Sequence, residues 1–569
     1  MKLLKLKIES PEGFRSLLKD FEITFHTLDN YEAMEQFRPF CFAGLNGSGK
    51  SNVLEALSSI FYHLEFCVAR YKPESFKRHF KKEVCSPDAF SLEYLIGQHN
   101  RKYYAYVYFD KVTISKKVGE APRMFIQSFP FDSTAEILEV SLNPSENKQE
   151  AAEGKTYLPA HIIGYSSGEN EILSLPFIKS RLVHLDEFKQ ATKDNYEKYD
   201  EPENSLIFID SNMSQAVLLA CLLFESDETL APIRSEDNTG IVGLSSFRMN
   251  INLHRFKFQK EDENILQLIE REQLDKLKRC ATSWYTNGKI LWLDFFVNVA
   301  TKEAFKKNFT QGSFEVFQLF RLLYELNAHF IEENIVEEVY QSKGFYTDGK
   351  LPVGSPEQDV FHFLDFYITQ KVKGRDNKID LLLRNFSDGE HQFLHTMGIC
   401  LLLKDRRAIL LLDEPETHFN PSWRAKFVKI LNDSILASNN VDHPNGNFNI
   451  HLLKDVLLTS HSPFIISDCL PDNVIFFDRE RLRTEKRAMK ASELGLNTYG
   501  TSEEIILARL FNYDQSIGDL SNAELKKIDF DKIDTKQKIE EVKIKLRKLG
   551  ESIEKDMVLA RINRIKTEN

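Results

Sequence analysis

Apolar runs that fit β-strands occur in two separate parts of the chain. Near the start, Leu4, Leu6 and Ile8 alternate with charged residues, which is the period-two pattern of a strand with one buried face. The first part, 1–115, contains these predicted strands: Leu3–Ile8, Phe21–Phe25, Phe40–Ala43, Phe90–Ile96 and Tyr103–Phe109. The second part, 376–480, contains three more: Ile409–Leu412, Val456–Thr459 and Asn473–Phe477. These two parts predict the two halves of one α/β core.

The segment between the two parts, 116–375, has a mixed pattern. Polar stretches such as 226–240 combine charged residues with proline and glycine, which predicts surface loops. From about 255 to 345, apolar residues recur at three- and four-residue spacing, which predicts a largely helical insertion. No heptad pattern continues far enough for a long coiled-coil arm. A short helical tail is predicted for 481–569, which is rich in lysine and glutamate from Glu524 onward.

Composition narrows the class of protein. The chain has 569 residues and seven cysteines, none in a C-x-x-C pair, which favours reduced thiols in a cytoplasm. Its longest apolar stretches, such as Ala216–Phe224, are shorter than the roughly 18 residues that cross a bilayer. The alternating N-terminus does not resemble a signal peptide. We therefore expect a cytoplasmic protein with no membrane partner, while a net charge of −11 leaves nucleic-acid contact through a local basic patch open.

A glycine-rich turn follows the third predicted strand and leads into a helical pattern. It has the complete P-loop spacing and reads Gly44-Leu45-Asn46-Gly47-Ser48-Gly49-Lys50-Ser51, followed by Asn52. The glycines allow backbone N–H groups to surround phosphates at a helix N-terminus. Lys50 is expected to reach the β- and γ-phosphates, and the Ser51 hydroxyl to bind Mg²⁺. The turn therefore predicts ATP and Mg²⁺ as cofactors.

The strand Ile409–Leu412 ends in an acidic pair, Asp413 and Glu414. Such a strand is expected to lie beside the P-loop strand. Asp413 would then hold the Mg²⁺ shell, and Glu414 would orient and deprotonate the water that attacks the γ-phosphate. The pair predicts ATP hydrolysis.

Two further motifs flank the acidic pair. Upstream, Ser387 precedes an apolar helix, with Gly389 and Glu390 after it, which is the pattern of a capped, anion-binding helix start. Downstream, the apolar strand Val456–Thr459 leads to His461. A histidine at a strand end is commonly structural, but here it follows the other motifs in order.

The order of these motifs resembles that of ABC-type ATPases: P-loop, signature at Ser387, acidic pair, D-loop at 416–421 and switch histidine at His461. Gly13-Phe14-Arg15-Ser16 and the residues around Lys50 are more similar to the RecF, SMC and OLD branch than to transporters. The resemblance implies an α/β ABC-type P-loop ATPase head, with His461 sensing the γ-phosphate. It also implies that Ser387 and Gly389 contact nucleotide held by another copy, so that two heads dimerise around two ATP molecules.

Two positions stay open. Gln98, after the strand Phe90–Ile96, is the candidate for the Q-loop residue that contacts Mg²⁺ and water. The sequence 165–171 superficially imitates the signature, but no acidic-pair strand follows it at the right distance. We interpret it as a turn after the strand His161–Gly164, near the nucleotide.

The arrangement of the whole chain resembles the PtuA ATPases. In that family the ATPase assembles with an HNH nuclease, PtuB, in Septu antiphage defence, and some versions are attached to retrons. The resemblance implies an HNH partner and, in the retron case, a reverse transcriptase with its RNA–DNA product. No nuclease domain is expected in this chain, since Asp529-Phe530-Asp531 spells D-x-D without a preceding buried strand.

The alternative hypothesis is a RecF- or SMC-like DNA-repair ATPase that binds DNA directly. Basic residues between 70 and 82 are interleaved with Tyr71, Phe76 and Phe80, a composition that could contact phosphates and bases. The same pattern also fits a solvated charged helix face. An ABC transporter subunit is disfavoured by the RecF-like start of the chain.

Overall fold

A computed structural model describes the chain except for residues 31–33, 35, 98–108, 130–135, 145–150, 169, 194–204, 211–212, 236–238, 254–272, 344–350, 352–358, 372–376, 404–405, 437–453, 479–487, 514, 531–532, 534 and 569. The chain divides into two compact units, Met1–Tyr499 and Gly500–Asn569.

The described strands all belong to the first unit. In chain order they are β1 (Lys2–Ile8), β2 (Glu22–Thr24), β3 (Phe40–Gly44), β4 (Phe90–Gly97), β5 (Phe109–Lys116), β6 (Arg123–Phe129), β7 (Leu138–Val140), β8 (His161–Ser166), β9 (Leu206–Phe208), β10 (Ile241–Asn252), β11 (Ser283–Thr286), β12 (Ile290–Phe296), β13 (Phe361–Lys371), β14 (Lys378–Leu382), β15 (Ala408–Asp413), β16 (Lys454–Thr459), β17 (Val474–Phe477) and β18 (Ala488–Lys490).

The described helices of the first unit are α1 (Lys50–Val68), α2 (Glu74–Lys77), α3 (Glu171–Lys193), α4 (Ser214–Phe224), α5 (Ala231–Arg234), α6 (Asp275–Cys280), α7 (Val299–Asn308), α8 (Ser313–Leu326), α9 (Glu333–Gln341), α10 (Asp388–Leu402), α11 (Pro421–Leu436) and α12 (Pro463–Ser467). The second unit contains α13 (Glu503–Phe511), α14 (Asp519–Lys526), α15 (Lys536–Leu546) and α16 (Ile553–Glu568).

A seven-stranded sheet forms the centre of the first unit, in the order β18-β17-β3-β16-β15-β8-β9. Its strands are parallel except for β18, which pairs antiparallel with β17. Every residue of β3, β15 and β16 is buried, as expected of parallel strands covered on both faces. Because the strands are parallel, the carboxyl ends of β3, β16, β15 and β8 meet at one edge, where ligands bind in such sheets.

This sheet crosses the domain boundaries suggested by the sequence. β8 and β9 come from the segment 116–375 and extend the sheet beyond the acidic-pair strand. At the other edge, β18 adds a strand that lies beyond residue 480, so the first unit continues to Tyr499. Periodicity identifies a strand but not its neighbours, which explains why the boundaries differ.

An antiparallel sheet, β2-β1-β4-β5-β6-β7, packs over α1. Side chains from this sheet, from α1 and from the parallel sheet share one hydrophobic core, which includes Leu6, Leu57, Leu92 and Leu411. The predicted strands of both halves are confirmed, apart from 103–109, of which only Phe109 lies within the described residues.

A second antiparallel sheet has the order β11-β12-β10-β13-β14. Phenylalanines from its strands and from α7 pack together, as in the stacked pair Phe247 and Phe295, whose ring centroids are 4.2 Å apart. The helices α6 to α9 agree with the helical pattern predicted between 255 and 345, but β11 and β12 also lie there. Their signal is visible in the sequence: Asn287-Gly288 is a typical hairpin turn between two short strands.

The second unit consists of helices among its described residues. They enclose a small core of Leu525, Ile533, Ile539, Leu546 and Ile562, in agreement with the predicted helical tail. Across the described parts of both units, none of the helices combines the length and the apolar character that a bilayer crossing requires.

Candidate functional site

The P-loop connects the carboxyl end of β3 to the start of α1. β3 ends at Gly44, whose φ of 142° lies outside the range that side chains favour. A Cβ at this position would lie 2.5 Å from the Phe477 carbonyl oxygen, so the chain needs glycine here. Asn46 and Gly47 are exposed and Ser48 is buried. The loop therefore presents its outer turn to solvent on a fixed base.

Lys50 begins α1, and its ammonium group lies inside the loop. Nζ donates to the carbonyl oxygens of Gly44 at 3.0 Å and Leu45 at 3.2 Å. Burial lowers the pKa of Lys50 to about 8, although the nearby carboxylates of Glu414 and Asp413 act in the opposite direction. The cation is thus held within the loop, beside the acidic pair.

Ser51 and Asp413 meet at the adjacent edge of the sheet. The Ser51 hydroxyl donates to Asp413 Oδ1 at 2.7 Å, and the Thr459 hydroxyl donates to the same oxygen at 2.8 Å. The Asn170 side-chain amide donates to Asp413 Oδ2 at 2.8 Å. Hydroxyl and carboxylate oxygens are hard ligands of the type that Mg²⁺ prefers, so Ser51 and Asp413 fit the predicted metal.

One positional expectation is wrong. β15, which carries Asp413, does not lie beside β3, because β16 pairs with both of them and separates them. The position of β16 between β3 and β15 has a chemical consequence, because the end of β16 then lies between the P-loop and the acidic pair. Thr459 and His461 both reach the acidic pair from there.

Glu414 has an unusual backbone conformation. Its φ of 48° is left-handed, which is uncommon for a residue other than glycine and is concentrated at functional sites. Its N–H donates to the Thr459 hydroxyl at 2.9 Å, and its Oε1 lies 3.1 Å from His461 Nε2. The hydrogen bond from His461 holds the pKa of Glu414 below its usual value. Glu414 is therefore ionised at neutral pH and fixed in direction.

The signature residues lie at the start of α10. Ser387 caps the helix, and Ser387 and Glu390 form a reciprocal capping box, as the sequence predicts. Gly389 allows a close approach to the D-loop, because a Cβ there would lie 2.7 Å from the His418 carbonyl oxygen. A cleft of about 580 Å³ is lined by Ser387, Gly389, the D-loop residues His418 and Asn420, and Trp423 of α11, with Asp388 and Glu390. No described P-loop residue lines it.

The structure thus brings together two groups of predicted residues. Lys50, Ser51, Asp413, Glu414 and His461 converge at the carboxyl edge of the parallel sheet. Ser387 and Gly389 form a separate cleft with the D-loop. Asn52 belongs to neither group directly, since it accepts a hydrogen bond from the Ser16 N–H at 3.3 Å and donates to Glu55 at 2.8 Å.

Sequence reasoning missed Asn170 and Glu55. For the turn at 165–171 a place near the nucleotide was left open, and its Asn170 bonds Asp413 at 2.8 Å and Glu55 Oε1 at 3.4 Å. Through Asn52, this network extends from Ser16 to Asp413. Gln98, the predicted Q-loop residue, lies outside the described residues. The available signal was a polar turn directly after an apolar strand, which does not distinguish one turn residue from another.

The aromatic residues of the basic stretch at 70–82 differ in exposure: Tyr71 and Phe80 are partly exposed, whereas Phe76 is buried. Phe76 is only 2% exposed and packs against Phe66 and Tyr340. Arg78 pairs with Glu337 at 3.2 Å, and Lys72 donates to the Ala69 carbonyl at 3.0 Å. Stacking of bases on Phe76 is therefore excluded in this structure, which supports the interpretation as a charged surface.

Two solved structures align with this chain at low similarity. One is the SmcHead bound to the C-winged helix domain of ScpA, at 13% identity and a TM-score of 0.26, covering 83% of this chain and 92% of that one. The other is RecF-ATPrS of the RecFOR pathway, at 13% identity and a TM-score of 0.25, covering 83% of this chain and 96% of that one. Neither similarity is high enough to bear on function. No curated protein matches the chain.

A family model described as an AAA ATPase domain matches residues 1–466. This range includes the P-loop, the signature helix, the acidic pair and the switch histidine, the same residues that the fold gathers at one sheet edge and one cleft. The chain therefore has a P-loop ATPase fold and belongs to the AAA ATPase domain family.

Proposed function

We propose that this chain binds and hydrolyses ATP with Mg²⁺ at the carboxyl edge of its parallel sheet, as an ATPase of the SMC and RecF type. One observation carries the proposal: Ser51 and Asp413 bond each other at 2.7 Å, while Glu414 and His461 pair at 3.1 Å beside them. Phosphoryl transfer to water requires a hydroxyl–carboxylate pair that can hold Mg²⁺ and a second, oriented carboxylate that can position the attacking water.

The residues divide the work between binding and proton transfer. The P-loop backbone and Lys50 would bind the phosphate oxygens, and Ser51 and Asp413 would hold Mg²⁺, which when bound neutralises charge on the phosphates. Asn170 keeps Asp413 oriented through its bond to Oδ2. Lys50 is already buried within the loop, so little reorganisation is needed to face a phosphate.

Glu414 is proposed as the general base. Its carboxylate is ionised because His461 lowers its pKa, and the strained backbone with the Thr459 bond fixes where it points. It would orient a water molecule for attack on the γ-phosphate and accept its proton. His461 would keep the carboxylate in place and sense whether the γ-phosphate is present.

Dimerisation is proposed because the site lacks its second half within one chain. Ser387 and Gly389 line a cleft with no described P-loop residue, at a helix N-terminus that favours anions. A head-to-head dimer would bring this cleft over the γ-phosphate of the partner copy. Each dimer would then enclose two ATP molecules.

The biological role proposed for this ATPase is control of a separate HNH nuclease in cytoplasmic antiphage defence, with or without a retron. Its support is the resemblance of the chain's layout to PtuA ATPases and the D-x-D sequence at 529–531, which the sequence places after no buried strand. ATP occupancy would then switch the nuclease through head dimerisation. The alternative of direct DNA clamping loses one support, because Phe76 is buried.

The test of hydrolysis is the variant Glu414→Gln. Loss of a general base should lower kcat by about 10²- to 10⁴-fold while ATP binding persists, and trapped ATP should accumulate dimers in light scattering. Glu303→Gln, on the exposed surface of α7, is the matched control and should behave as wild type. Hydrolysis by Glu414→Gln at the parental rate would contradict the base assignment.

The test of the biological role is co-purification from the native operon. A bound HNH protein whose activity depends on ATP supports the defence role. Absence of any nuclease, together with tight salt-dependent binding of duplex DNA by the isolated chain, supports the repair alternative.

A further inference from the structure

Glu416 is a buried carboxyl group that the mechanism above does not use. It lies in the D-loop two residues after Glu414 and is only 4% exposed. Its Oε1 accepts a hydrogen bond from the Ser460 hydroxyl. Its Oε2 is buried without a hydrogen-bond partner among the described residues. An apolar side chain would fill this space without the cost of desolvating a carboxyl group, so the hydrogen bond to Ser460 needs an explanation.

Ser460 is held from three directions at the end of β16. Its N–H donates to the Phe42 carbonyl at 3.1 Å, and its hydroxyl oxygen accepts from the Ser462 N–H at 2.9 Å. The bond to Glu416 is the third. Because Ser460 and Ser462 flank His461, these bonds determine the position of the histidine backbone.

Three consecutive residues at the end of β16 therefore each hold one acid from the end of β15. The Thr459 hydroxyl bonds Asp413 at 2.8 Å, the Ser460 hydroxyl bonds Glu416, and His461 bonds Glu414 at 3.1 Å. The first contact orients a proposed metal ligand and the last orients the proposed base. The Ser460–Glu416 hydrogen bond involves neither a proposed metal ligand nor the proposed base.

The electrostatic environment of Glu416 is consistent with a side chain that holds Ser460 in place and takes no part in proton transfer. Burial raises its pKa to about 7, the Ser460 bond acts in the opposite direction, and the charge of Glu414 raises the pKa further. A charge-neutral side chain that keeps an acceptor oxygen would therefore replace Glu416 with little loss. A side chain of the same length without an acceptor would release Ser460.

We infer that Glu416 is a positioning residue. Through Ser460 it holds the segment Ser460–Ser462 after β16 in place, so that His461 stays bonded to the Glu414 carboxylate. The inference rests on the proposed ATPase function. It assigns Glu416 no contact with ATP, so its removal should affect turnover and not nucleotide affinity.

The test compares Glu416→Met, which lacks an acceptor, with Glu416→Gln, which keeps one. Glu416→Met should lower kcat about tenfold, with the KM for ATP within about twofold of wild type, and Glu416→Gln should retain most of the activity. In a His461→Ala background, Glu416→Met should add no further loss, because it acts through that histidine. A purely structural role would lower the Tm without this coupling.

Ser460→Ala provides a second route if Glu416→Met fails to fold. It should show the same loss of kcat, and the two changes together should be no worse than either alone. Wild-type kcat in folded Glu416→Met or Ser460→Ala, or equal additional loss in the His461→Ala background, would overturn the inference while leaving the ATPase proposal intact. An inactive wild-type protein would instead refute the ATPase proposal and this inference together.

Discussion

At the residue scale, Lys50 shows burial opposing charge. Its ammonium group lies inside the P-loop beside two carboxylates, yet burial lowers its pKa to about 8. As the pH rises through this value in the nucleotide-free protein, Lys50 loses its proton and its attraction for phosphate. Most of the charge it offers to ATP is present at pH 7, about half is lost at pH 8, and the rest declines above that pH.

We therefore predict that the Kd for ATP rises above pH 8, by up to about tenfold per pH unit, in calorimetric titrations. Lys50→Arg should bind ATP more weakly but with no such dependence, because a guanidinium keeps its charge across this range. An equal Kd for the wild type at pH 7 and pH 9.5 would refute the assignment of Lys50 to the phosphates.

The residues of the P-loop and the acidic pair could be identified from sequence because their chemistry requires fixed spacing along one stretch of chain. Glu55 and Asn170 could not, since they become neighbours only when α1 and the turn after β8 fold against Asp413. The left-handed backbone conformation of Glu414 could not be predicted from the sequence either, because glutamate has no preference for that conformation.

At the scale of elements, Asp455 joins two sheets. It lies on β16, fully buried, and its carboxylate binds Lys2 Nζ at 3.1 Å, His26 Nε2 at 3.0 Å and the Leu3 N–H at 2.6 Å. Burial alone would raise its pKa, but Lys2 and the other donors outweigh burial and lower it. The charge of Asp455 is therefore compensated in the fold.

Asp455→Ala should leave Lys2 buried without its partner and reduce the free energy of unfolding by about 3–5 kcal/mol in urea melts at pH 7. The control is Glu22→Gln, which breaks the exposed ion pair between Glu22 on β2 and Lys5 on β1, the strand that also carries Lys2. This change should alter the free energy of unfolding by less than about 1 kcal/mol. Because the folded pKa of Asp455 is lowered, its contribution is present above about pH 4 and is lost progressively as the pH falls from there towards the folded pKa, so the stabilities of the wild type and Asp455→Ala should approach each other over that acid range. A loss as small as the control's would contradict the buried link.

Gly389 tests the contact between the signature helix and the D-loop. In Gly389→Ala the new methyl group would lie 2.7 Å from the His418 carbonyl, so one of the two elements must shift. We expect a loss of about 1–3 kcal/mol in stability and a weakened ATP-dependent dimer, with ATP binding to the P-loop unchanged. Gly518→Ala, which meets no atom within 4 Å, should change neither. If Gly389→Ala still forms the ATP-dependent dimer in light-scattering experiments, Gly389 does not contribute to the dimer interface.

Most strands of the parallel sheet were predictable because buried parallel strands are short continuous apolar runs, as in β15 and β16. Their order was not, because a strand's pattern reports which faces are buried and not which strand pairs with it. This is why β16 was not expected between β3 and β15. The hairpin of β11 and β12 was missed, although Asn287-Gly288 marks its turn, because helical spacing dominates the sequence on either side of it.

At the scale of the whole molecule, the proposed dimer has a test that uses two inactive proteins. Lys50→Ala disables the P-loop half of the site, and Ser387→Asp disables the signature half while keeping a good helix cap. In a mixed dimer, one of the two sites pairs an intact P-loop with an intact signature. Mixing equal amounts should restore about one quarter of wild-type ATPase activity in a phosphate-release assay.

The matched control mixes Lys50→Ala with Glu414→Gln. Both changes damage the same half, so no mixed dimer contains an intact site and activity should stay low. Recovery in the control, or none in the first mixture at concentrations where dimers form, would show that the two halves of the site do not come from different copies.

Motif order predicted the ATPase fold of the whole chain, because each motif is tied to a particular strand end or helix start. The proposed HNH partner does not follow from motif order, since no single motif in the chain specifies an HNH protein.

The link between the second antiparallel sheet and the signature is very short. β14 ends at Leu382, a single turn spans Leu383–Asn385, and Ser387 caps α10 almost immediately afterwards. A connection with so little slack cannot absorb a displacement by bending. A load that slides β14 along its axis would therefore reach the start of α10, which would make the sheet a lever on the half of the site that, in the proposed dimer, faces the neighbouring copy.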